Sequence, residues 1–198
     1  GIDIVMHSAT KYFGGHSDIS AGAVASSQEI MDKIWNLSKD FGGNLSDYTV
    51  WLLERSMKTL GIRVKAQQRN AKRLAKFLYK HNAVNSVYYP GLKTNEYHSL
   101  AKIQMKGYGA MMSFELTKDH NVEAFLKALQ LIKPSMSLAG VESTMLLPSK
   151  TSHALLTESD RLSQGITDQL IRFSVGIENK SDLINDIEQA ISASHTKR

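Results

Sequence analysis

Apolar and polar positions follow two different periods along this chain, and strand-like and helix-like segments alternate. Short apolar runs predict strands at residues 2–6, 21–25, 84–89, 110–116, 135–138, 144–147 and 170–175. Apolar residues at helical spacing, with capping residues beside them, predict helices at residues 28–37, 46–60, 63–81, 122–132 and from 181 onward. The alternation predicts an α/β fold, and we expect the first strand, residues 2–6, to be buried.

Capping residues define where these helices begin and end. Ser46 or Asp47 suits an N-cap, and Gly61 suits the C-cap of the same helix. Asn121 suits the start of the helix that Pro134 closes, and Ser181 suits the start of the last helix. We place a domain boundary at Gly61, which separates residues 1–61 from residues 62–198.

Composition and charge exclude several classes of protein. The chain has 198 residues, 42% of them hydrophobic, which is enough for one core or two small ones. It has no cysteine, so disulfides, thiolate nucleophiles and cysteine-based zinc sites are excluded, and the histidines show no paired metal-ligand spacing. No apolar run is long enough to span a bilayer, and the start lacks a signal-peptide layout. We therefore predict a cytoplasmic protein with neither a membrane nor a metal site.

The excess of basic over acidic residues does not by itself indicate binding to nucleic acid. The net charge is +5, but the basic residues are spread along predicted helices, most densely over residues 65–80. A solvated helix face explains this distribution, so no nucleic-acid partner is predicted.

One candidate site lies where the first predicted strand ends. Ser8 and Thr10 are two residues apart, so on a strand both hydroxyls point the same way, and Lys11 follows them. A lysine in a sheltered setting can form a Schiff base with an aldehyde. The two hydroxyls and the amides of the Gly14-Gly15 turn suit a phosphate. Together they suit pyridoxal phosphate, although a strand that ends in a surface lysine has the same pattern.

A second candidate is Arg172, between Ile171 and Phe173 in a strand otherwise suited to burial. A buried guanidinium needs an anion or water, and its planar fork suits a carboxylate. The partner is either a substrate carboxylate or a local acid such as Glu142 or Glu178, and spacing alone favours the local acid.

The chain resembles the Cys/Met-metabolism family of pyridoxal phosphate-dependent (transsulfuration) enzymes, which includes cystathionine synthases and lyases and methionine γ-lyase. The resemblance rests on an ordered series of segments over nearly the whole chain. They are residues 3–12, 14–18, 58–60, 90–92, 100–102 with 104–105, 112–116, 137–143 and 170–178.

The resemblance implies a fold and an assembly. Residues 1–61 correspond to the end of the large, cofactor-binding domain of a type I pyridoxal phosphate-dependent transferase, whose upstream portion is missing. Residues 62–198 correspond to a smaller α/β C-terminal domain with a mainly antiparallel sheet. We thus expect the C-terminal half of an enzyme that forms a homo-oligomer, a tetramer in this family.

The resemblance also implies roles for the candidate residues. Lys11 holds pyridoxal 5'-phosphate as a covalent aldimine and acts as the catalytic residue, while Ser8 and Thr10 contact the phosphate. Arg172 binds the α-carboxylate of a small amino-acid substrate with the help of Ser137. Met136 occupies a substrate-binding position where many relatives that handle cystathionine at the γ-carbon have a glutamate.

Because a thioether cannot bind a distal ammonium, Met136 favours a lyase for a smaller or less charged sulfur substrate, or a cystathionine β-lyase. Met136 packed in the core is the structural alternative. We predict a carbon–sulfur lyase of the cystathionine lyase or methionine γ-lyase type, working by β- or γ-elimination. A γ-replacing synthase, of the cystathionine γ-synthase or O-acetylhomoserine sulfhydrylase type, and a non-catalytic fragment of such an enzyme are the alternatives.

Overall fold

Strands and helices alternate along residues 1–196, which are the residues that the computed structural model describes. The α/β class predicted from the sequence is confirmed. By its internal contacts the chain divides into two units, of which the first is Gly1–Gly61 and the second begins at Ile62. The division falls in the first turn of a helix.

The first unit contains a two-stranded antiparallel sheet in which Ile4 lies opposite Ser26 and Ser8 lies opposite Gly22. Its first helix ends at Gly42, which takes up the left-handed conformation (φ 71°) that glycine adopts without strain. The elements of this unit are β1 (Ile4–Ser8), β2 (Gly22–Ser26), α1 (Gln28–Phe41) and α2 (Asp47–Met57).

The first strand differs from the expectation. It lies two residues later than predicted, and all five of its residues are exposed rather than buried. Met6, for example, is 79% exposed. Within residues 1–196, β1 is hydrogen-bonded to β2 alone, and pairing along one edge covers neither face of a strand.

The helix boundary at Gly61 was also predicted wrongly. Ser46 does cap α2, since its hydroxyl accepts from the Thr49 amide at 3.3 Å. However, α2 ends at Met57, and after a tight turn the chain begins the long helix α3 (Leu60–Lys80). Gly61 therefore lies inside the first turn of α3 rather than at a C-cap.

The second unit is built on a five-stranded sheet with strand order β3-β4-β7-β6-β5. All neighbouring strands are antiparallel except β5 and β6, so the sheet is mainly antiparallel. A short 3₁₀ turn, Pro148–Lys150, follows β6. The remaining elements are β3 (Val84–Tyr88), α4 (His98–Gln104), β4 (Met111–Leu116), α5 (Val122–Ala128), β5 (Lys133–Pro134), β6 (Thr144–Leu146), α6 (Glu158–Ser163), β7 (Leu170–Ser174) and α7 (Lys180–Ser194).

The core of this unit lies between its sheet and three helices. One cluster of buried apolar side chains combines residues of β4 and β7 with the apolar stripes of α3, α5 and α7. Phe114 of β4 and Phe125 of α5 meet edge to face, with ring centroids 6.1 Å apart. The packing holds β7, and therefore Arg172, in a fixed register between β4 and β6.

Several boundaries in the second unit differ from the predictions. The helix predicted over residues 122–132 ends at Ala128, and the strand predicted at residues 135–138 is replaced by the two-residue β5. Pro134 therefore lies in an edge strand, where a missing N–H is tolerated, and does not close a helix. The last helix is capped by Asn179, which accepts from the Ser181 amide at 2.8 Å.

Among residues 1–196, no helix combines the length and the apolar character needed to cross a membrane.

Candidate active site

Lys11 lies in a tight turn that directly follows β1. The Lys11 amide donates to the Ser8 carbonyl at 3.1 Å, and the Lys11 carbonyl accepts from the Gly15 amide at 2.7 Å. Ala9, the first residue of this turn, is fully buried, and Lys11 itself is half-buried. The backbone of Lys11 is thus bonded on both sides.

The two glycines of this turn are required by its backbone conformation and close packing. A Cβ on Gly14 would lie 2.8 Å from the side chain of Ile19 and 3.1 Å from the Ala9 carbonyl, and Gly15 has a φ of 71°. Both glycine amides donate within the turn, Gly14 to Ala9 and Gly15 to Lys11. The expectation that these amides are free for a phosphate is therefore wrong.

Two hydroxyls flank the turn in different settings. Ser8 is exposed at the end of β1, whereas Thr10 lies beyond the strand, so the predicted strand alternation does not place them together. Thr10 Oγ1 accepts from the Ala21 amide at 2.9 Å, and its proton points to the Ala21 carbonyl at the longer distance of 3.3 Å. Because the shorter bond uses Oγ1 as acceptor, the proton can turn towards an anion without loss of that bond.

Arg172 is the charged residue of β7, and both of its neighbours, Ile171 and Phe173, are fully buried. Its Nη2 donates to the carbonyls of Met136 at 3.0 Å and Ser137 at 2.9 Å. Its Nε is buried and has no hydrogen-bond partner among residues 1–196. Burial lowers the pKa of the guanidinium, although arginine stays charged at neutral pH.

A local acid does not neutralise Arg172. None of the ion pairs within residues 1–196 includes it. The carboxylate of Glu178, one of the acids expected from spacing, instead accepts from the amide and hydroxyl of Ser143. The salt-bridge alternative is therefore wrong for the described part of the chain. Arg172 keeps an uncompensated charge and an unused donor.

Ser137 and Met136 lie against this guanidinium through their carbonyls. Ser137 is half-buried, and Met136 is 62% exposed, so it is not packed in the core. Met136 also borders a cavity of about 330 Å³ with largely apolar walls, among them Leu126, Met145 and Leu147.

The chain matches one protein family over almost its whole length. A family model described as "Cys/Met metabolism PLP-dependent enzyme" matches residues 1–192. The chain belongs to this family. It is 46% identical over 192 residues to a cystathionine gamma-lyase of Bacillus subtilis, covering 96% of this chain and 51% of that protein. It is 42% identical over 194 residues to a chloroplastic cystathionine gamma-synthase of Arabidopsis thaliana, covering 98% of this chain and 34% of that protein.

The fold of the chain is also similar to that of a solved member of this group of enzymes. The cystathionine gamma-lyase of Lactobacillus plantarum, crystallised with L-serine, has a TM-score of 0.93 and 42% sequence identity. That match covers 98% of this chain and 51% of the other. The chain therefore spans about half the length of the lyases it resembles.

The residues around Lys11 fit the phosphorylated aldehyde that this family's name specifies. Lys11 Nζ has no hydrogen-bond or ion-pair partner among residues 1–196, so its amine is available for a carbonyl carbon. The Ser8 hydroxyl is exposed, and the Thr10 proton can be redirected. One lysine and two hydroxyl donors are therefore available within the first unit.

The predicted site residues form two groups, each within its own unit. Ser8 ends β1, and Thr10 and Lys11 lie in the turn that follows it. Met136, Ser137 and Arg172 share the contact between β7 and residues 135–137.

Sequence reasoning missed a third set of residues, which hold the segment containing Ser137. The buried side chains of Gln67 and Ser174 bond to the backbone of Gly140 and Ala139, and the buried Ser143 accepts from the Gly176 amide. The only available sequence signal for these three residues was that each is a polar residue inside an apolar segment.

Proposed function

We propose that this chain is part of a pyridoxal phosphate-dependent carbon–sulfur lyase that acts on a sulfur-containing amino acid by β- or γ-elimination. The observation that carries the proposal is the state of Arg172, a half-buried guanidinium whose Nε–H is free and which has no carboxylate partner within residues 1–196. Such a group suits the α-carboxylate of an amino acid, which can take two parallel hydrogen bonds from it.

Each candidate residue then has a role. Lys11 Nζ holds the cofactor covalently, and the Ser8 and Thr10 hydroxyls donate to its phosphate. When bound, the cofactor supplies an electron sink that stabilises negative charge on the substrate. Lys11 Nζ moves protons at the substrate carbons, while Arg172 and Ser137 bind the α-carboxylate. Arg172 thereby orients the bond to be broken, which is catalysis by positioning.

Met136 favours elimination from a substrate without a charged distal group. Its exposed thioether borders an apolar cavity and offers no partner to an ammonium. A γ-replacing synthase is the second candidate, because a synthase and a lyase resemble this chain almost equally. A non-catalytic fragment is the third.

Further proposals concern the whole protein. We propose that residues 1–61 end a large cofactor-binding domain, that residues 62–198 form the C-terminal domain, and that the full-length enzyme is a cytoplasmic homotetramer. Sedimentation of the full-length protein tests the assembly, and cell fractionation tests the location.

The role of Lys11 is tested by borohydride reduction of the full-length enzyme with its cofactor. We expect a stable pyridoxyl group on Lys11, located by peptide mapping. The Lys11→Ala variant should acquire none. A pyridoxyl group on another lysine in the wild type would show that Lys11 is not the cofactor lysine.

The role of Arg172 is tested by Arg172→Lys, which keeps the charge but loses the two-pronged geometry. Loss of a charge-assisted hydrogen bond of about 1.5–3 kcal/mol should lower kcat/KM for every amino-acid substrate by roughly 10- to 100-fold. Arg161→Lys is the matched control. Arg161 is buried and ion-paired with Asp168 at 3.0 Å, so its loss should lower Tm and leave kcat/KM near wild type. Near-normal kcat/KM in Arg172→Lys would remove Arg172 from the site.

Product analysis separates the two reaction types. A lyase releases a keto acid and ammonia from cystathionine or methionine without added thiol. A synthase forms a new thioether from an activated homoserine ester only when a thiol is supplied. We expect the first pattern.

A further inference from the structure

The segment that contains Ser137, residues 135–143, is irregular and depends on its neighbours for its conformation. It connects β5 to β6 without helix or strand of its own, and Ala139 within it has a φ of +66°. A non-glycine residue in this region persists only where the surroundings determine it. We call residues 135–143 the carboxylate loop, after the role proposed above.

Buried side chains bind the middle of the carboxylate loop. The Ala139 amide donates to Ser174 Oγ at 2.8 Å, and Gln67 Nε2 donates to the Gly140 carbonyl at 2.7 Å. Gln67 and Ser174 are fully buried, so neither bond competes with water. The Ile177 amide adds a backbone bond to the Val141 carbonyl at 2.9 Å.

A carboxylate binds the far end of the loop. One oxygen of Glu178 accepts from the Ser143 amide, and the other accepts from the Ser143 hydroxyl at 2.9 Å. Ser143 Oγ in turn accepts from the Gly176 amide at 2.9 Å. Asn70 Nδ2 donates to the carbonyls of Gly176 at 3.2 Å and Glu178 at 2.8 Å, which fixes the turn that carries the carboxylate.

Glycine is required at position 176 for this contact. A Cβ there would lie 2.6 Å from the Ser143 amide nitrogen and closer still to the Glu178 carboxylate and the Val141 carbonyl. No side chain can occupy that space without displacing the bond between Glu178 and Ser143.

The other end of the carboxylate loop, at Met136 and Ser137, is bound by a cation, the guanidinium of Arg172. Arg172 Nη2 donates to the carbonyls of Met136 and Ser137, so the loop lies between a cation at one end and an anion at the other. Because both Glu178 oxygens are used by Ser143, Glu178 does not neutralise Arg172.

We propose that Glu178, acting through Ser143, is a positioning residue that sets the carboxylate loop and thereby orients Arg172 and Ser137 towards the substrate α-carboxylate. The inference rests on the proposed function, since it concerns the same carboxylate site. Glu178 itself does not touch the substrate.

The test compares two ligands that differ only in the α-carboxylate. Full-length holoenzyme is titrated with L-alanine and with ethylamine, and binding is followed by cofactor absorbance. We expect Glu178→Gln, which cannot accept from both Ser143 donors, to weaken L-alanine binding by about tenfold, equivalent to about 1.4 kcal/mol. Ethylamine binding should stay unchanged. Ser143→Ala removes the hydroxyl donor but keeps the amide donor, so it should act in the same direction, and the double variant should lose little more than Glu178→Gln because both changes weaken one contact.

The matched control is Glu115→Gln, on β4 opposite Leu170 at the start of β7. Glu115 is a buried carboxylate that accepts from Thr167 Oγ1 at 2.6 Å, so its variant should lose stability without changing the ratio of the two affinities. An unchanged ratio in Ser143→Ala, or equal loss for both ligands, would overturn the positioning role even if Glu178→Gln does not fold.

Arg172→Lys, titrated in parallel, separates this inference from the proposed function. If it lowers the preference for L-alanine while Ser143→Ala does not, only the positioning role is wrong. If Arg172→Lys itself leaves the preference unchanged, the carboxylate site is not at Arg172.

Discussion

At the scale of single residues, Ala139 is the clearest case in which backbone conformation and side chain oppose each other. Its left-handed conformation costs a residue with a Cβ about 1–2 kcal/mol. Ala139→Gly removes that cost. Against this gain, the loss of a buried methyl costs about 0.8 kcal/mol of stability, and the greater conformational entropy of the unfolded chain costs about 0.4–1 kcal/mol. We therefore expect the free energy of unfolding to change by less than about 1 kcal/mol.

Ala139→Val is the contrasting variant. A β-branched side chain opposes the left-handed conformation more strongly, and the site is fully buried, so we expect a loss of about 2 kcal/mol or more. Urea unfolding of both variants measures the difference. A valine variant as stable as wild type would show that residue 139 is not held in the conformation described.

Arg172 shows how far the site could be predicted from residues alone. A charge between two apolar residues of a strand marks it, because a buried guanidinium must find a partner. Its partners could not be predicted, since the carbonyls of Met136 and Ser137 lie 36 and 35 residues away and carry no sequence signal. The same holds for Thr10, whose contact with Ala21 depends on how the turn after β1 folds.

At the scale of elements, α5 shows why a helix boundary can escape prediction. Leu129 and Ile132 continue the apolar pattern, yet the helix ends at Ala128. The cause is distant in sequence. The carboxylate of Asp186 on α7 accepts from the amides of Gln130, Leu131 and Ile132 at 2.8 to 3.0 Å, which holds them outside the helix.

Asp186→Ala should therefore be strongly destabilising. It leaves the amides of Gln130, Leu131 and Ile132 without their acceptor, and because only Ile132 of the three is fully buried we expect a loss of about 2–3 kcal/mol in the free energy of unfolding. Asp182→Ala, in the exposed first turn of the same helix, is the control and should cost at most about 1 kcal/mol. Equal losses in urea unfolding would contradict the role given to Asp186.

Short helices escaped prediction for a different reason. The helices α4 and α6 have 7 and 6 residues, too few to display a periodic apolar face. Long elements with strong periodicity, such as α3 and α7, were predicted within a few residues. Packing decides the rest, because a short helix forms only when its neighbours stabilise it.

At the scale of the whole molecule, the two units differ in how much apolar surface they bury. Every residue of the main apolar cluster belongs to the second unit. In the first unit Ala9 is the only buried apolar side chain among those described, and large apolar residues such as Trp35, Phe41 and Trp51 are more than half exposed. The first unit thus lacks a core of its own within residues 1–196.

This difference predicts how two fragments of the chain will fold. A fragment that begins at Lys58 keeps the first turn of α3 and the whole apolar cluster, so it should unfold cooperatively in urea. A fragment of residues 1–57 should show no cooperative transition. A chain shorter than about 70 residues has a marginal core even when its apolar side chains face inward, and here most face outward. Circular dichroism during urea titration measures both. A cooperative transition in residues 1–57 would show that the exposed side chains do pack together. A longer fragment without a cooperative transition would show that the second unit needs the first to fold.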